Sequence, residues 1–204
     1  MSEPSPNNIA PQALDNQRVL VLGDSFVTGA GASDQGWAQQ LVEVLHPAAE
    51  IRVSGVAGNT SGHLLARCRE HAEFDPGTLI VQIGINDSRY RPSKSAIEMT
   101  LERFRYNVTA TTRTYEAHDV FLLGLTRVDE AHTAPLKDDK HYRNADIELY
   151  DAALREVAHD INARYLALPP LNDSPRLLAD GLHPSALGYH AILKVVLAGL
   201  RDRF

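Results

Sequence analysis

A serine follows a short apolar run near the beginning of the chain. Residues 19–31 have the sequence VLVLGDSFVTGAG, so Ser25 follows the apolar residues after Gly23 and Asp24. A serine hydroxyl at the end of a strand can attack a substrate when a base lies within hydrogen-bond reach. The tripeptide by itself more often marks a turn, because Ser and Asp side chains bond to nearby backbone there. Whether Ser25 is a nucleophile therefore depends on what the rest of the chain brings to it.

The histidine best placed to act as that base is His183, one of nine in the chain. It lies in DGLHP, residues 180–184, immediately before the last predicted helix, and Pro184 suits the first position of that helix. In a tight turn the carboxylate of Asp180 can reach the Nδ1 atom of the imidazole and orient the ring, as the acid of a catalytic triad does. An Asx-type cap beside a solvated histidine is the alternative, and it stays open.

Two further loops can supply hydrogen-bond donors. Attack on an ester carbonyl develops negative charge on its oxygen, which must meet preorganised donors. Gly58 in VAGNT can offer an unobstructed backbone N–H, and Asn86 in GIND can offer its side-chain NH₂. The simple alternatives are a plain turn at Gly58 and a helix-capping pair at Asn86 and Asp87.

Five short apolar runs predict strands, and the loops named above follow strands of this set. None alternates cleanly with polar residues, which is typical of strands buried on both faces in a parallel sheet. With helices between them, the chain predicts a three-layer α/β/α domain with a five-stranded parallel sheet, flavodoxin-like in strand order 2-1-3-4-5. In that order the loops after the first and third strands are neighbours at the switch point, where sites form. The predicted strands are 18–22, 51–54, 79–83, 120–123 and 165–168.

Stretches with helical periodicity separate the strands. Helices are predicted over about 36–46, around 64–68, over about 93–117 and 144–163, and after residue 184. Ser95 and Glu98 have the spacing of a capping box early in the longest of them. Residues 125–143 form the longest irregular connection, and a loop of this length is often a lid or a pocket wall.

Bulk composition excludes several classes of function. The 204 residues are 44% apolar and 23% charged, as in ordinary globular proteins, and the net charge of −6 gives no electrostatic footprint for nucleic acid. No basic cluster marks a membrane surface. No apolar run approaches the roughly 20 residues that a spanning helix needs, so no integral membrane segment is expected.

The N-terminus has the composition of a poorly ordered arm. Residues 1–17 are rich in Pro, Asn and Ser and lack the basic and apolar regions of a secretory signal, so a single domain is expected over residues 18–204. The one cysteine, Cys68, has no partner for a disulfide, which fits a reducing compartment. We therefore expect a cytoplasmic protein. Its oligomeric state has no signal in the sequence.

Four motifs together carry a resemblance to a known family. GDS at residues 23–25, the glycine at Gly58, G-x-N-D at residues 84–87 and D-x-x-H at residues 180–183 follow one another in that order. The chain resembles the SGNH (GDSL-type) hydrolases from residue 19 to its C-terminus. It departs from the family name at Phe26, where leucine is implied, and this apolar exchange puts little in doubt.

The resemblance implies a serine hydrolase of carboxylic esters. It implies that Ser25 is the nucleophile, His183 the general base and then acid, and Asp180 the residue that orients it. The backbone N–H groups of Ser25 and Gly58 and the Asn86 amide would form the oxyanion hole. Asp24 and Asp87 would hold loop backbone in place, and neither a metal nor an organic cofactor would be needed. The partner would be a small-molecule ester.

Other functions for the same fold have weaker support. A nucleotide or flavin site after the first strand would use Gly29 and Gly31, but the third glycine of the fingerprint is replaced by Asp34. A phosphatase with Asp24 as nucleophile would need a second acid at the position of Phe26. A non-catalytic protein that binds a ligand or partner on this fold is the remaining alternative.

The substrate is not specified by these motifs, since the family's substrates include short-chain esters, lysophospholipids, acyl thioesters and acetylated sugars. No long apolar tract suggests a tunnel, so short acyl or acetyl esters are favoured. Candidate pocket residues are Phe26 for the acyl group and Arg89, Tyr90 and Arg127 for an anionic or polar part of the substrate. Solvated surface charge is the alternative for the arginines, and core packing for Phe26.

Overall fold

Strands and helices alternate along the chain in the computed structural model, which describes residues 17–33, 35–137 and 139–202. The predicted arm lies outside the described residues except for Gln17, the first residue of the first strand. The strands in chain order are β1 (Gln17–Gly23), β2 (Ala49–Gly55), β3 (Thr78–Gln82), β4 (Tyr90–Arg91), β5 (Ala96–Ile97), β6 (Asp119–Leu123) and β7 (Arg164–Leu166). The helices are α1 (Ser25–Thr28), α2 (Trp37–Leu45), α3 (Ser61–Arg67), α4 (Leu101–Thr112), α5 (Glu130–Thr133), α6 (Asn144–Asp160) and α7 (Ala186–Arg201).

Five of the strands form one parallel sheet in the order β2-β1-β3-β6-β7, and β4 pairs with β5 in a separate antiparallel hairpin. Without the hairpin this is the predicted order 2-1-3-4-5, so the predicted fold is confirmed. The register aligns Gly23 of β1 with Gly55 of β2 and Gln82 of β3. The loops after these three strands therefore leave the sheet at one edge.

The core lies on both faces of the sheet. Val19 and Val21 of β1 pack into one apolar cluster with residues of α2 and α7. Leu20 and Leu22 pack into a second cluster with residues of α3, α4 and α6. Because successive strand residues point to opposite faces and both faces are covered, every position must be apolar, which explains the unbroken runs.

The predicted helix over residues 93–117 is wrong in its first part. The chain there forms the β4–β5 hairpin, with a short 3₁₀ turn between the strands, and α4 begins only after Thr100. Ser95 has the left-handed φ of 49° and ends the 3₁₀ turn at Pro92–Lys94, so it is not the N-cap of a helix. Glu98, its expected capping partner, instead accepts hydrogen bonds from Arg89 and Arg91, each at 2.7 Å. Tertiary ion pairing outweighed the local capping pattern.

The last helix begins two residues later than Pro184 predicts. Ser185 is its N-cap, and its side chain accepts from the backbone N–H of Gly188. Pro184 precedes the cap and pairs with Leu178 in an isolated bridge. The proline therefore belongs to the loop that carries His183.

The connection over residues 125–143 is packed against the domain. It contains α5, and Val128 and Tyr142 are buried in the core with 0% and 2% of their surface exposed. These two residues pack the connection into the larger apolar cluster on that face of the sheet. Across the part of the chain that the structure describes, no helix has both the length and the apolar composition to span a bilayer.

Candidate active site

Three side chains from the two ends of the chain form a continuous hydrogen-bonded series. Ser25 begins α1 directly after β1, and its Oγ lies 3.1 Å from Nε2 of His183. The other ring nitrogen of His183, Nδ1, lies 2.8 Å from Oδ2 of Asp180. Ser25 is 4% exposed. A hydroxyl bonded to an imidazole that a carboxylate orients is the arrangement that activates a serine for attack.

The loop before α7 fixes His183 through the same carboxylate. Oδ1 of Asp180 accepts from the backbone N–H groups of Leu182 at 3.0 Å and His183 at 2.7 Å. The Asx-type cap and the oriented histidine, which the sequence left as alternatives, are thus both present. Partial burial opposes ionisation of Asp180, but the bonds from His183 outweigh it and lower the pKa of this carboxyl. Asp180 is therefore a carboxylate at neutral pH.

The glycines after α1 allow the chain to pass close to His183. Gly31 has a φ of 88°, and a methyl group on its Cα would lie 2.7 Å from Cβ of His183. Any other residue there would push the histidine loop away. The hydroxyl of Tyr189, from α7, bonds to the carbonyl of Ala30 at 2.6 Å and ties this turn to the last helix. Residues 29–31 thus support His183.

Asn86 lies after β3 with both ends of its amide engaged. Its Nδ2 donates to the carbonyl of Asn59 at 3.1 Å and, at a longer 3.3 Å, to Oδ2 of Asp24. Its Oδ1 accepts from the hydroxyl of Tyr142 at 2.9 Å. Gly58 is exposed in the turn closed by the Asn59 N–H and the Val56 carbonyl. Gly58 and Asn86 thus belong to two contacting loops at the sheet edge that carries Ser25.

Two buried carboxylates hold these loops, as expected. Asp24 caps α1 by accepting from the backbone N–H of Phe26 at 3.0 Å, and burial raises its pKa to about 7. Asp87 accepts from the N–H of Ser61 at 2.9 Å and from its hydroxyl at 2.5 Å, and burial raises its pKa to about 6. Both carboxylates are engaged with loop backbone and side chains, and neither makes a hydrogen bond to His183.

Arg67, which the sequence analysis missed, joins the strand ends that carry the site. From the end of α3 it donates through Nε to Asn59 Oδ1 at 2.9 Å and through Nη2 to the Gly23 carbonyl at 2.8 Å. It also reaches Ser54 through Oγ at 2.7 Å and the carbonyl at 3.2 Å. The only sequence signal would have been a basic residue in the last turn of a predicted helix, which normally interacts with its own helix end.

The predicted pocket residues have different surroundings. Phe26 is 3% exposed in the core, with its ring centroid 6.1 Å from that of His183. Arg89 is also buried and paired with Glu98. Tyr90 is half-buried, and its ring stacks under the Arg143 guanidinium at 4.1 Å.

Arg127 lies apart from this group, because it is half-exposed and pairs with Glu148. The structure thus brings Phe26 next to the histidine but gives both Arg89 and Arg127 carboxylate partners within the protein. Among residues 17–202 as described, no three His, Cys, Asp or Glu side chains converge as a metal site would require.

The chain is similar to known proteins in sequence and in fold. The chain is 26% identical to the isoamyl acetate-hydrolyzing esterase of Schizosaccharomyces pombe, over 96% of this chain and 79% of that protein. The solved lipase/acylhydrolase from Enterococcus faecalis superposes with a TM-score of 0.72 at 18% identity, over 92% of this chain and 96% of the other. An acetylxylan esterase from Geobacillus stearothermophilus superposes with a TM-score of 0.71 at 17% identity, with the same coverage of both chains.

A family model described as the GDSL-like Lipase/Acylhydrolase family matches residues 21–191, a range that begins inside β1 and includes all three residues of the hydrogen-bonded series. That range is most of the chain. The protein therefore belongs to the GDSL-like lipase/acylhydrolase family, and it is a serine hydrolase that cleaves carboxylic esters.

Proposed function

We propose that the protein hydrolyses small esters of short-chain acids through an acyl-enzyme formed on Ser25. The observation that carries this proposal is the hydrogen-bonded series Ser25 Oγ, His183 and Asp180, with contacts of 3.1 Å and 2.8 Å. Each contact is within the reach that proton transfer in catalysis requires.

The reaction has two halves. Oγ of Ser25 attacks the ester carbonyl while its proton passes to Nε2 of His183, and Asp180 stabilises the imidazolium that forms. The tetrahedral intermediate collapses, the C–O bond to the alcohol breaks, and His183 gives its proton to the departing alkoxide. Water, deprotonated by His183, then attacks the acyl-enzyme, and the acid leaves as the proton returns to Ser25. This course uses protein groups and water alone.

The proposed oxyanion hole consists of the backbone N–H groups of Ser25 and Gly58 and Nδ2 of Asn86. The first N–H groups of a helix have no intrahelical partner, which suits the N–H of Ser25 at the start of α1. The Asn86 contact to Asp24 is the longer of its two Nδ2 bonds, so it is the one that an oxyanion would replace. Removing one such donor typically costs about 10²–10³ in kcat.

A short acyl group is supported by the surroundings of Ser25 and by one relative. The serine is 4% exposed and the Phe26 ring lies beside His183, which leaves Phe26 as the proposed contact of the acyl chain. The Schizosaccharomyces pombe relative is named for hydrolysis of an acetate ester. Arg89 and Arg127 would meet a polar part of the substrate only by exchanging a carboxylate partner for it. Tyr90 remains a candidate for that side of the pocket.

The test of the nucleophile is hydrolysis of p-nitrophenyl acetate by the wild type, Ser25→Ala and Ser88→Ala. Ser88 is a matched control, because its buried hydroxyl donates to the Ile85 carbonyl near the site. We expect Ser25→Ala to lose a factor on the order of 10⁴ or more in kcat. Ser88→Ala should keep kcat within a few-fold. Equal activity of Ser25→Ala and wild type would refute the mechanism.

The test of the substrate class is a p-nitrophenyl ester series from acetate to palmitate. We expect kcat/KM to be highest for acetate or butyrate and to fall with longer chains, because the carbons beyond the pocket gain no buried contact. A maximum at decanoate or beyond would contradict the short-chain proposal while leaving the mechanism intact.

We also propose that residues 18–204 form a single domain, which is supported by the one five-stranded sheet with a core on each face. The cytoplasmic location stays a prediction of the sequence, and so does the expectation that nucleic acid is not a partner. Cell fractionation with an antibody against the protein tests the first, and retention on immobilised DNA and RNA tests the second.

A further inference from the structure

Tyr142 lies at the end of the 125–143 connection, directly behind the Asn86 loop. Its side chain is buried, and its hydroxyl donates to Oδ1 of Asn86 at 2.9 Å. The two residues are 56 positions apart in the sequence. No motif in the chain points to this contact.

The direction of the hydrogen bond follows from the neighbours of Asn86. The carbonyl of Asn59 can only accept, so the end of the Asn86 amide that faces it at 3.1 Å must be the NH₂ group. The end that faces Tyr142 is therefore the amide oxygen, and the tyrosine hydroxyl must be the donor. Without the Tyr142 hydroxyl, the amide oxygen would lose its hydrogen bond and the Asn59 carbonyl would hold the amide from one end only.

The ion pair of Arg89 and Glu98 acts electrostatically on the Tyr142 phenol. Both side chains of the pair are largely buried, and the Nη2 atom of Arg89 donates to Glu98 at 2.7 Å. Burial raises the pKa of the Tyr142 phenol and Arg89 opposes this only in part, so the phenol keeps its proton at neutral pH. The Tyr142 hydroxyl is therefore a proton donor to Asn86 at neutral pH.

The backbone of Tyr142 is held on both sides. Its N–H donates to the carbonyl of Thr133 at 2.9 Å, and the Thr133 hydroxyl donates to its carbonyl at 3.0 Å. The preceding residue, His141, exchanges two backbone hydrogen bonds with Tyr90, at 2.9 and 3.1 Å. The phenol is therefore anchored both to the long connection and to the loop that follows Asn86.

We propose that Tyr142 is a positioning residue for the oxyanion hole: its hydroxyl fixes the orientation of the Asn86 amide and polarises the N–H that meets the developing charge. The inference rests on the proposed role of Asn86 as an oxyanion donor. It assigns a function to the 125–143 connection, which supports the catalytic loop from behind. It also leaves Arg89 paired with Glu98 rather than bound to the substrate.

The test is a double-mutant cycle of Tyr142→Phe and Asn86→Ala, with kcat and KM measured on p-nitrophenyl acetate. Tyr142→Phe keeps the ring and removes only the hydroxyl. We expect it to lower kcat about five- to tenfold, the effect of losing one hydrogen bond, with KM nearly unchanged. Asn86→Ala should lower kcat about 10²-fold or more. In the Asn86→Ala background, Tyr142→Phe should have no further effect.

Tyr115→Phe is the matched control, because Tyr115 is a buried tyrosine whose hydroxyl donates to the Cys68 carbonyl in the other apolar cluster. Thermal melting of both Phe variants reports what each lost bond does to stability, and only Tyr142→Phe should lower kcat. Wild-type kcat in Tyr142→Phe, or an equal loss in both backgrounds of the cycle, would overturn the inference and leave the proposed function standing. Wild-type kcat in Asn86→Ala would overturn both the oxyanion role of Asn86 and the inference.

Discussion

Replacing Arg67 tests whether the hydrogen bonds that join the strand ends also support catalysis. We predict that Arg67→Met destabilises the protein and slows catalysis together. The methionine keeps an apolar stem of similar length but loses four hydrogen bonds, to Gly23, to Asn59 and twice to Ser54. These bonds link the ends of β1 and β2 to the turn that carries Gly58.

The size of the loss in stability depends on whether each acceptor that loses Arg67 can find another donor. Hydrogen bonds from a charged donor are worth about 1.5–3 kcal/mol each, so four would give an upper limit of about 6–12 kcal/mol. The Gly23 carbonyl keeps its bond from the Val56 N–H at 3.2 Å, and the half-buried side chains of Ser54 and Asn59 can bond to water instead. We therefore expect a loss of about 2–3 kcal/mol in the free energy of unfolding, near the value of a single well-made bond.

Catalysis should suffer because the Asn59 carbonyl is an acceptor for the Asn86 amide. A shift of the turn moves both proposed oxyanion donors in this region, and displacements of about 1 Å can cost 10²-fold in rate. We expect kcat for p-nitrophenyl acetate to fall at least about tenfold.

Urea unfolding and steady-state kinetics measure the two effects, with Arg69→Met as the control. Arg69 is exposed two residues further along, and its loss should change stability by less than about 0.5 kcal/mol. Wild-type stability of Arg67→Met would refute the bonding argument. Destabilisation without any loss of kcat would refute the link between this arginine and the site.

Three further predictions follow from the same geometry. Asp180→Asn should lower kcat about 10³- to 10⁴-fold with little loss of stability. The amide still caps the loop, but it forces the ring proton of His183 onto Nε2, where the base must be free. Activity within tenfold of wild type would contradict this prediction. Gly31→Ala should lower both kcat and stability, by about 1–3 kcal/mol for the latter, because the added methyl would lie 2.7 Å from Cβ of His183. Gly77→Ala, at a glycine next to the flexible end of a side chain, is the control, and equal effects at both positions would refute the steric argument. Burial raises the pKa of Asp24 to about 7, so the folded protein keeps a proton that the unfolded chain releases above about pH 4. The free energy of unfolding should therefore fall as the pH rises between these values, and the fall should be shallower in Asp24→Asn. Urea unfolding at several pH values measures it. The same dependence of the free energy on pH in both proteins would argue against a raised pKa of Asp24.

Local patterns were sufficient where the physical cause is local or repeats along the chain. The central strands β1, β3 and β6 were predictable because burial on both faces favours apolar residues along the whole strand. The pairing of Asp180 with His183 was predictable because three residues separate them in one turn. The long helix was wrong because Ser95 and Glu98 have capping spacing, while the Glu98 carboxylate is held by two arginines that this spacing does not reveal.

The sequence by itself determined the strand order, the loops that meet at one edge of the sheet and the types of residue that could catalyse ester hydrolysis. Only the tertiary structure decided that His183 reaches Ser25, 158 residues away, and that Tyr142 and Arg67 hold the neighbouring loops. The reason is physical: periodicity and turn chemistry act between residues close in the chain, and a buried hydrogen bond between distant residues leaves no periodic trace in the sequence.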